Sequence, residues 1–309
     1  MSIYKYYLNE VSQNDIPVFL YPYLFSKSLL RLKDIGYFCG MDYASKDIYD
    51  FGEYISRYDH SLSTALITWR YTKNKTATLA ALFHDVATPC FSHVIDYMNN
   101  DYILQESTEN YIEQILKNDT DLIKQLKLDE IDIKDIINFK NFSIVDNKRP
   151  KLCADRIDGI ILSGAIWGKA LTSSEISNIV NSICVYTNSD GEKELGFTNE
   201  EVANLVIKTN DLIDYLCHTE EDIYMMELLA NITKTAIDEG IITYKDLFRL
   251  SEETLILRLS NNNNEQINKN MDFFLHGYKD NIPSIELPKI KKRTINPLVN
   301  GIRYKNISN

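Results

Sequence analysis

Residues 77–83 are almost wholly apolar, and the run ends on the adjacent pair His84-Asp85. That pattern strongly limits what the chain can fold into. A helix buried on every side must end on groups that are costly to desolvate. The cost is offset only where a partner of opposite charge is waiting. A further histidine, His60, opens an earlier helical face, and Asp155 sits in a later helical stretch. Two imidazoles and two carboxylates form a donor set for one divalent cation. A cation held with an open coordination position can activate water for attack on phosphorus.

Composition sets the frame for that array. The chain has 309 residues, 44% of them hydrophobic, with only 11 glycines and 7 prolines. Aliphatic residues recur at helical spacing, which predicts a mainly α protein. The net charge of −11 argues against a dedicated nucleic-acid binder. A small phosphorylated substrate needs only a local basic patch. No run approaches the roughly 20 apolar residues of a membrane span, and the start lacks a signal-peptide h-region. The cysteines at 39, 90, 153, 184 and 217 show no CxxC spacing. Reduced thiols and a cytoplasmic location are expected.

Along the chain, residues 1–25 are aromatic and β-prone, which predicts short strands or an arm. Residues 26–36 are predicted helical, as are stretches beginning at His60, at residue 77, at Phe91 and after Ser107 or Thr108. Residues 119–149 are charged and only weakly periodic. Pro150 opens the Asp155 helix. Asp190-Gly191 lies between β-prone segments and predicts a hairpin over 183–197. Thr198 with Glu201 forms a capping-box pattern ahead of the next helix. The tail from Pro283 is basic and extended, and its run Lys289, Lys291, Lys292 and Arg293 is expected to be a solvated face, with an allosteric anion or partner site as the lesser alternative. With no repeat and no linker, one domain is expected over 1–309. Its core spans about 26–240, with an extension over about 241–309 packed on it.

Three stretches carry a resemblance: Ser56-Arg-Tyr-Asp-His-Ser61, Phe83-His-Asp-Val-Ala-Thr-Pro-Cys-Phe-Ser-His93 and Ala154-Asp-Arg-Ile-Asp158. Together they resemble the HD-domain metal-dependent phosphohydrolases, nearest the deoxynucleoside triphosphate triphosphohydrolase branch. The resemblance implies an HD-domain helical bundle with short β elements: an N-terminal arm, the 183–197 hairpin and a C-terminal strand. It implies that His60, His84, Asp85 and Asp155 ligate one divalent metal (Mn, Fe, Ni, Co, Zn or Mg). Asp85 then also serves catalysis. Arg57 and Arg156 correspond to residues at the substrate phosphate, and Asp158 would orient a ligand histidine. His93 corresponds to a histidine beside the site and is a candidate proton donor. Glu109 is a candidate active-site acid. Relatives in this branch form homo-oligomers, and the same is expected here by analogy.

The departures from that branch are equally informative. Thr88 and Thr108 stand where it carries acid–base histidines. Threonine has no useful proton affinity near neutral pH but can donate a hydrogen bond to phosphate. Gly159 and Ser163 replace a tyrosine and an aspartate that hold the sugar. Acidic residues in Cys217-His-Thr-Glu-Glu-Asp-Ile-Tyr224 stand where the branch is basic. These changes imply a nucleotide or other small phosphoester less charged than a dNTP. The alternatives are a non-catalytic HD module that binds a nucleotide or a protein, and a dNTP triphosphohydrolase. A di-iron oxygenase would need more histidines between Asp85 and Asp155 than His93 alone.

Overall fold

The structure is a computed structural model that describes residues 2–304, apart from the side chain of Glu109. Its α-helices are α1 (Ile3–Ser12), α2 (Tyr21–Leu24), α3 (Lys27–Leu30), α4 (Arg57–Thr72), α5 (Lys75–Phe83), α6 (His93–Met98), α7 (Ile112–Asn118), α8 (Thr120–Leu128), α9 (Ile133–Ile137), α10 (Ala154–Ile166), α11 (Ser173–Ser182), α12 (Glu200–Cys217), α13 (Glu220–Asp238), α14 (Glu252–Ser260) and α15 (Glu265–His276). The fold is mainly α, as the periodicity predicts. A small sheet holds β1 (Ile183–Thr187), β2 (Lys193–Phe197), β3 (Leu298–Val299) and β4 (Ile302–Arg303) in that spatial order.

The central layer is α4, α5 and α10. Ser56 caps α4 through a reciprocal capping box with Asp59, and Asn74 caps α5 by accepting from the Ala77 N–H. Helix α5 is buried from Ala77 to Phe83. Burial of its Leu79, Leu82 and Phe83 side chains contributes about 1.5–3 kcal/mol each. Helix α10 crosses α4 on one side and packs on α12 on the other. The α10–α12 approach depends on Gly164, where an added Cβ would lie far inside contact distance of Thr209 Cγ2.

The hairpin expected over 183–197 is β1–β2, paired antiparallel. The chain end returns as β3, parallel to β2, and turns into β4. Fully buried Glu194 accepts from both Arg303 guanidinium nitrogens at 2.6 and 2.9 Å. It also accepts from the Leu152 N–H at 3.3 Å. This fork joins the chain end to the segment that launches α10.

Three local expectations are corrected. Residues 3–12 form a helix, not strands or an arm. Ser2 caps it, and Ile3, Tyr7 and Val11 fall on one face, so helical spacing outweighs the β propensity of its tyrosines. The cap of α12 is Asn199, which accepts from the Glu201 and Val202 N–H groups, and not Thr198. The weakly periodic 119–149 stretch contains α8 and α9, started by the Asp119 and Asp132 side chains.

Gly164→Ala should destabilise the protein by about 1–3 kcal/mol, the usual cost of overpacking. Thr209 cannot swing aside without losing its 2.9 Å bond to the Leu205 carbonyl. Urea unfolding of the two proteins side by side checks this, and equal midpoints would contradict it.

Candidate metal centre and its cavity

The first turn of α4 carries Arg57 and His60. His84 is the C-terminal cap residue of α5, Asp85 follows it, and Asp155 lies in the first turn of α10. Asp155 and His84 suit their helix ends, whereas Arg57 and Asp85 sit against the dipole. A carboxylate is favoured near the N-terminus of α10, and positive charge is favoured at the C-terminus of α5.

These three helices bring the four side chains together. His60 Nε2 lies 3.1 Å from Asp155 Oδ1 and 3.8 Å from Asp85 Oδ2. His84 Nε2 lies 3.5 Å from Asp155 Oδ1 and 3.6 Å from Asp85 Oδ1. Donor atoms of His60, His84 and Asp155 all fall within 4.8 Å of one another. A divalent ion about 2.1 Å from each of its ligands would set neighbouring donors roughly 3–3.5 Å apart.

The outer nitrogens decide what the inner ones can do. His84 Nδ1 lies 2.7 Å from the Ala81 carbonyl oxygen. A carbonyl only accepts, so Nδ1 carries the hydrogen, and a neutral His84 presents a bare lone pair at Nε2. That lone pair faces two carboxylates. Such an array is stable only with positive charge at its centre, as protons or as a metal ion. His60 Nδ1 is held 2.7 Å from Asp158 Oδ2, while Asp158 Oδ1 accepts from the Tyr7 hydroxyl at 2.6 Å. The residues present therefore fit a divalent cation.

The titration behaviour carries the same demand. Burial disfavours charge on His60, but hydrogen bonds to Asp155 and Asp158 outweigh it and raise the imidazole to about 10. His84 is raised too: burial opposes its charge, and Asp85 and Asp155 overcome that. Burial would raise Asp85, yet His84, Arg57 and His60 bring it down to about 2. Asp155 is held well below the usual carboxylate range, because bonds from His60 and His84 overcome its burial. A second group, Asp146, Cys153 and Asp155, also converges. Burial pushes the Cys153 thiol up to about 12.

The centre lies on the wall of a cavity of about 990 Å³. Arg57 is buried against it. Its Nη1 lies 3.1 Å from Asp85 Oδ2, its Nε donates to Ser92 Oγ at 3.2 Å, and its guanidinium stacks on Tyr37. Arg156 also borders the cavity, but its donors go to the Lys151 and Asn147 carbonyls. Thr88, Thr108 and His93 line the same space. His93 Nδ1 lies 2.8 Å from Asp96 Oδ2, and Asp96 Oδ1 accepts from the Ser107 hydroxyl at 2.6 Å. Burial lowers the His93 pKa more than Asp96 raises it, so the ring is neutral near pH 7. The Glu109 side chain lies outside the described residues.

Several contributors went unread in the sequence. Glu252, fully buried on α14, accepts from the Gly36 N–H at 2.8 Å and the Phe91 N–H at 2.6 Å. It braces a turn in which Phe91 and Ser92 both have positive φ, a conformation unfavourable for side chains like theirs. That turn aims His93 and Ser92 at the cavity. Tyr37 is another. A Cβ at Gly159 would meet its hydroxyl at 2.9 Å, and the hydroxyl also bonds Ser163. The two small residues thus make room for a tyrosine from another segment. The acids at 220–222 do not act together. Asp222 alone lines the cavity, Glu220 is exposed, and Glu221 pairs with Lys279 at 2.9 Å. No local sequence signal marks Glu252 or Tyr37, since both act through contacts distant along the chain.

Residues 57–161 match the HD-domain family model. That stretch is similar to an HD domain. Among curated relatives, it is 24% identical over 218 residues to the uncharacterized protein YdhJ of Bacillus subtilis, covering 67% of this chain and 62% of that one. It is 24% identical over 205 residues to the metal-dependent phosphohydrolase cns2 of Cordyceps militaris, covering 64% and 57%. The chain thus spans about three-fifths of the length of these relatives. A solved hypothetical protein from Aquifex aeolicus superposes with a TM-score of 0.60 at 17% identity, covering 84% of this chain and 71% of that one. A phosphohydrolase from Bacteroides thetaiotaomicron gives 0.57 at 17%, covering 84% and 74%. At that identity the two structures show the fold. The HD match spans His60, His84, Asp85 and Asp155 and stops short of Glu252.

Asp158→Asn should weaken binding of Mn²⁺ or Co²⁺ by about 10–100-fold, because the carboxylate that orients His60 is lost. Calorimetric titration of metal-stripped protein measures this. Equal affinities in the two proteins would leave Asp158 a purely structural role.

Proposed function

We propose that the protein is a metal-dependent phosphohydrolase acting on a nucleotide or other small phosphoester. The observation that carries this reading is one cavity bordered by both the four-ligand cluster and the His93–Asp96–Ser107 relay. His60, His84, Asp85 and Asp155 would hold the ion. A divalent cation bound there supplies Lewis acidity toward a phosphoryl oxygen and lowers the pKa of water.

The chain's own groups do the rest. Asp96 fixes the His93 ring with Nδ1–H directed at its carboxylate, which leaves Nε2 to accept or return a proton. Thr88 and Thr108 can donate hydrogen bonds to phosphate oxygens but cannot act as acids. Arg57 holds Asp85 in place and adds positive charge beside it, which favours an anionic substrate. The cavity volume suits a nucleotide-sized ligand. With only Asp222 facing the cavity, the acidic 217–224 stretch opposes a charged substrate less than its sequence implies.

The intact relay favours catalysis over a binding-only module. The test is phosphate release from nucleoside mono- and triphosphates, sugar phosphates and p-nitrophenyl phosphate, with Mn²⁺, Co²⁺, Ni²⁺ or Mg²⁺. Asp85→Ala should lose both metal and turnover. His93→Gln should keep its metal while kcat falls about 10²–10⁴-fold. Metal-replete protein that turns over nothing in the panel, yet is stabilised by a nucleotide, would replace this reading with the binding module.

A further inference from the structure

Eight cationic residues border the cavity, and two pairs among them contrast. Lys140 and Lys151 are paired with carboxylates. Lys151 meets Asp190 and Glu192, both at 2.7 Å, and Lys140 meets Glu106 at 3.0 Å. Arg149 and Lys291 instead have neutral partners. Arg149 Nη1 donates to the Thr294 carbonyl at 3.3 Å. Lys291 Nζ donates to the Leu104 carbonyl at 2.7 Å. Arg293 beside them gives Nη1 to the Lys291 carbonyl and Nη2 to the Gln105 side-chain oxygen.

The extended tail brings them there. Alternate residues of a strand-like segment share a face, which accounts for Lys291 and Arg293 both lining the cavity while Lys292 does not. The Asn296 N–H to Pro150 carbonyl bond at 2.9 Å ties this tail to the loop carrying Arg149. The expected solvated face holds for exposed Lys289 and Lys292 and is corrected for Lys291 and Arg293, which line the cavity wall, held at 2.9 Å by the Lys291 N–H to Tyr102 carbonyl bond.

Cations partly withdrawn from water without a carboxylate in direct contact are costly to place. The cost is visible in their titration. Burial first, and then Arg156 and Arg293, bring Arg149 down to about 10. Burial, Arg293 and Arg149 lower Lys291, against the pull of Glu106. Asp155 acts on both in the opposite sense, which places this cluster within electrostatic reach of the metal centre. Arg293 is better compensated, since Cys217 and Asp222 lie close enough to favour its charge.

We propose that Arg149 and Lys291, flanked by Arg293, form a second anion subsite, and that the substrate carries a second phosphoryl group besides the one at the metal centre. The word substrate rests on the hydrolase reading; the anion subsite does not. The guanidinium fork and the ammonium offer donors of the kind that phosphate oxygens accept. The second phosphate belongs either to a diphosphate chain or to a separate position on the same molecule. Both share the same chemistry.

The test is calorimetric titration of the full chain loaded with Mn²⁺. The probes are orthophosphate, pyrophosphate and adenosine 3′,5′-bisphosphate. Pyrophosphate or the bisphosphate should bind at least about tenfold tighter than orthophosphate. A preference for pyrophosphate assigns a chain, and a preference for the bisphosphate assigns separated groups. Arg149→Gln and Lys291→Gln should each remove most of that advantage, and Arg149→Lys should retain more of it than Arg149→Gln. Equal affinity of wild-type protein for all three probes would overturn the subsite, a result that needs no variant to fold. So would a Gln variant that keeps the full advantage. Turnover of monoesters with no diphosphate advantage would sink the subsite and spare the hydrolase. Tight diphosphate binding with no turnover under any metal would do the reverse.

Discussion

The rest of the structure depends on two imidazole Nε2 atoms turned toward two carboxylates inside a helical core. Removing four such groups from water is unfavourable unless charge is matched and geometry is fixed. The protein fixes it from behind. Ala81 and Asp158 hold the two Nδ1 atoms, so neither ring can rotate its inner nitrogen away. Tyr7 in turn steadies Asp158. The first helix, far from the metal ligands in sequence, thereby sets the orientation of His60 on α4. Packing, tautomer and metal affinity form one chain of dependence.

The HD segment does not complete the cavity. Residues beyond it contribute the Glu252 brace under the Phe91–Ser92 turn and the Lys291–Arg293 wall. Burial pushes Glu252 up to about 8, against the pull of its two backbone donors. A carboxyl placed at that cost is a strong constraint on the turn it braces. The strained turn and the buried acid are best understood together, because neither conformation would persist without the other.

Much of the centre was legible in the sequence for physical reasons. An apolar helix that stops at His84-Asp85 announces a buried charge that needs a partner. The recurrence of His60 and Asp155 on other helices names that partner's ligands. The 183–197 hairpin was legible through Asp190-Gly191. The first helix was misread because tyrosines suit strands, and their spacing had to be weighed against their type. Thr198 was misread as a cap because Asn199 beside it competes for the same N–H groups. Tyr37, Glu252 and Arg149 were silent because each acts across a gap in sequence that no local pattern encodes. The Lys289–Arg293 run was visible, but its solvent exposure was assumed from charge alone.

Charge shows why that assumption fails. A net charge of −11 describes the long-range field, which repels large polyanions. It says little about an enclosed space where low-dielectric walls focus the nearest charges. Here Glu106, Asp190 and Glu192 neutralise Lys140 and Lys151, whereas Arg149 and Lys291 donate to backbone carbonyls. On the proposed reading, selection for small phosphorylated molecules follows from that contrast. An acidic exterior discourages polymers, while the cavity wall rewards any anion small enough to enter. Neither feature alone would discriminate; the two together do.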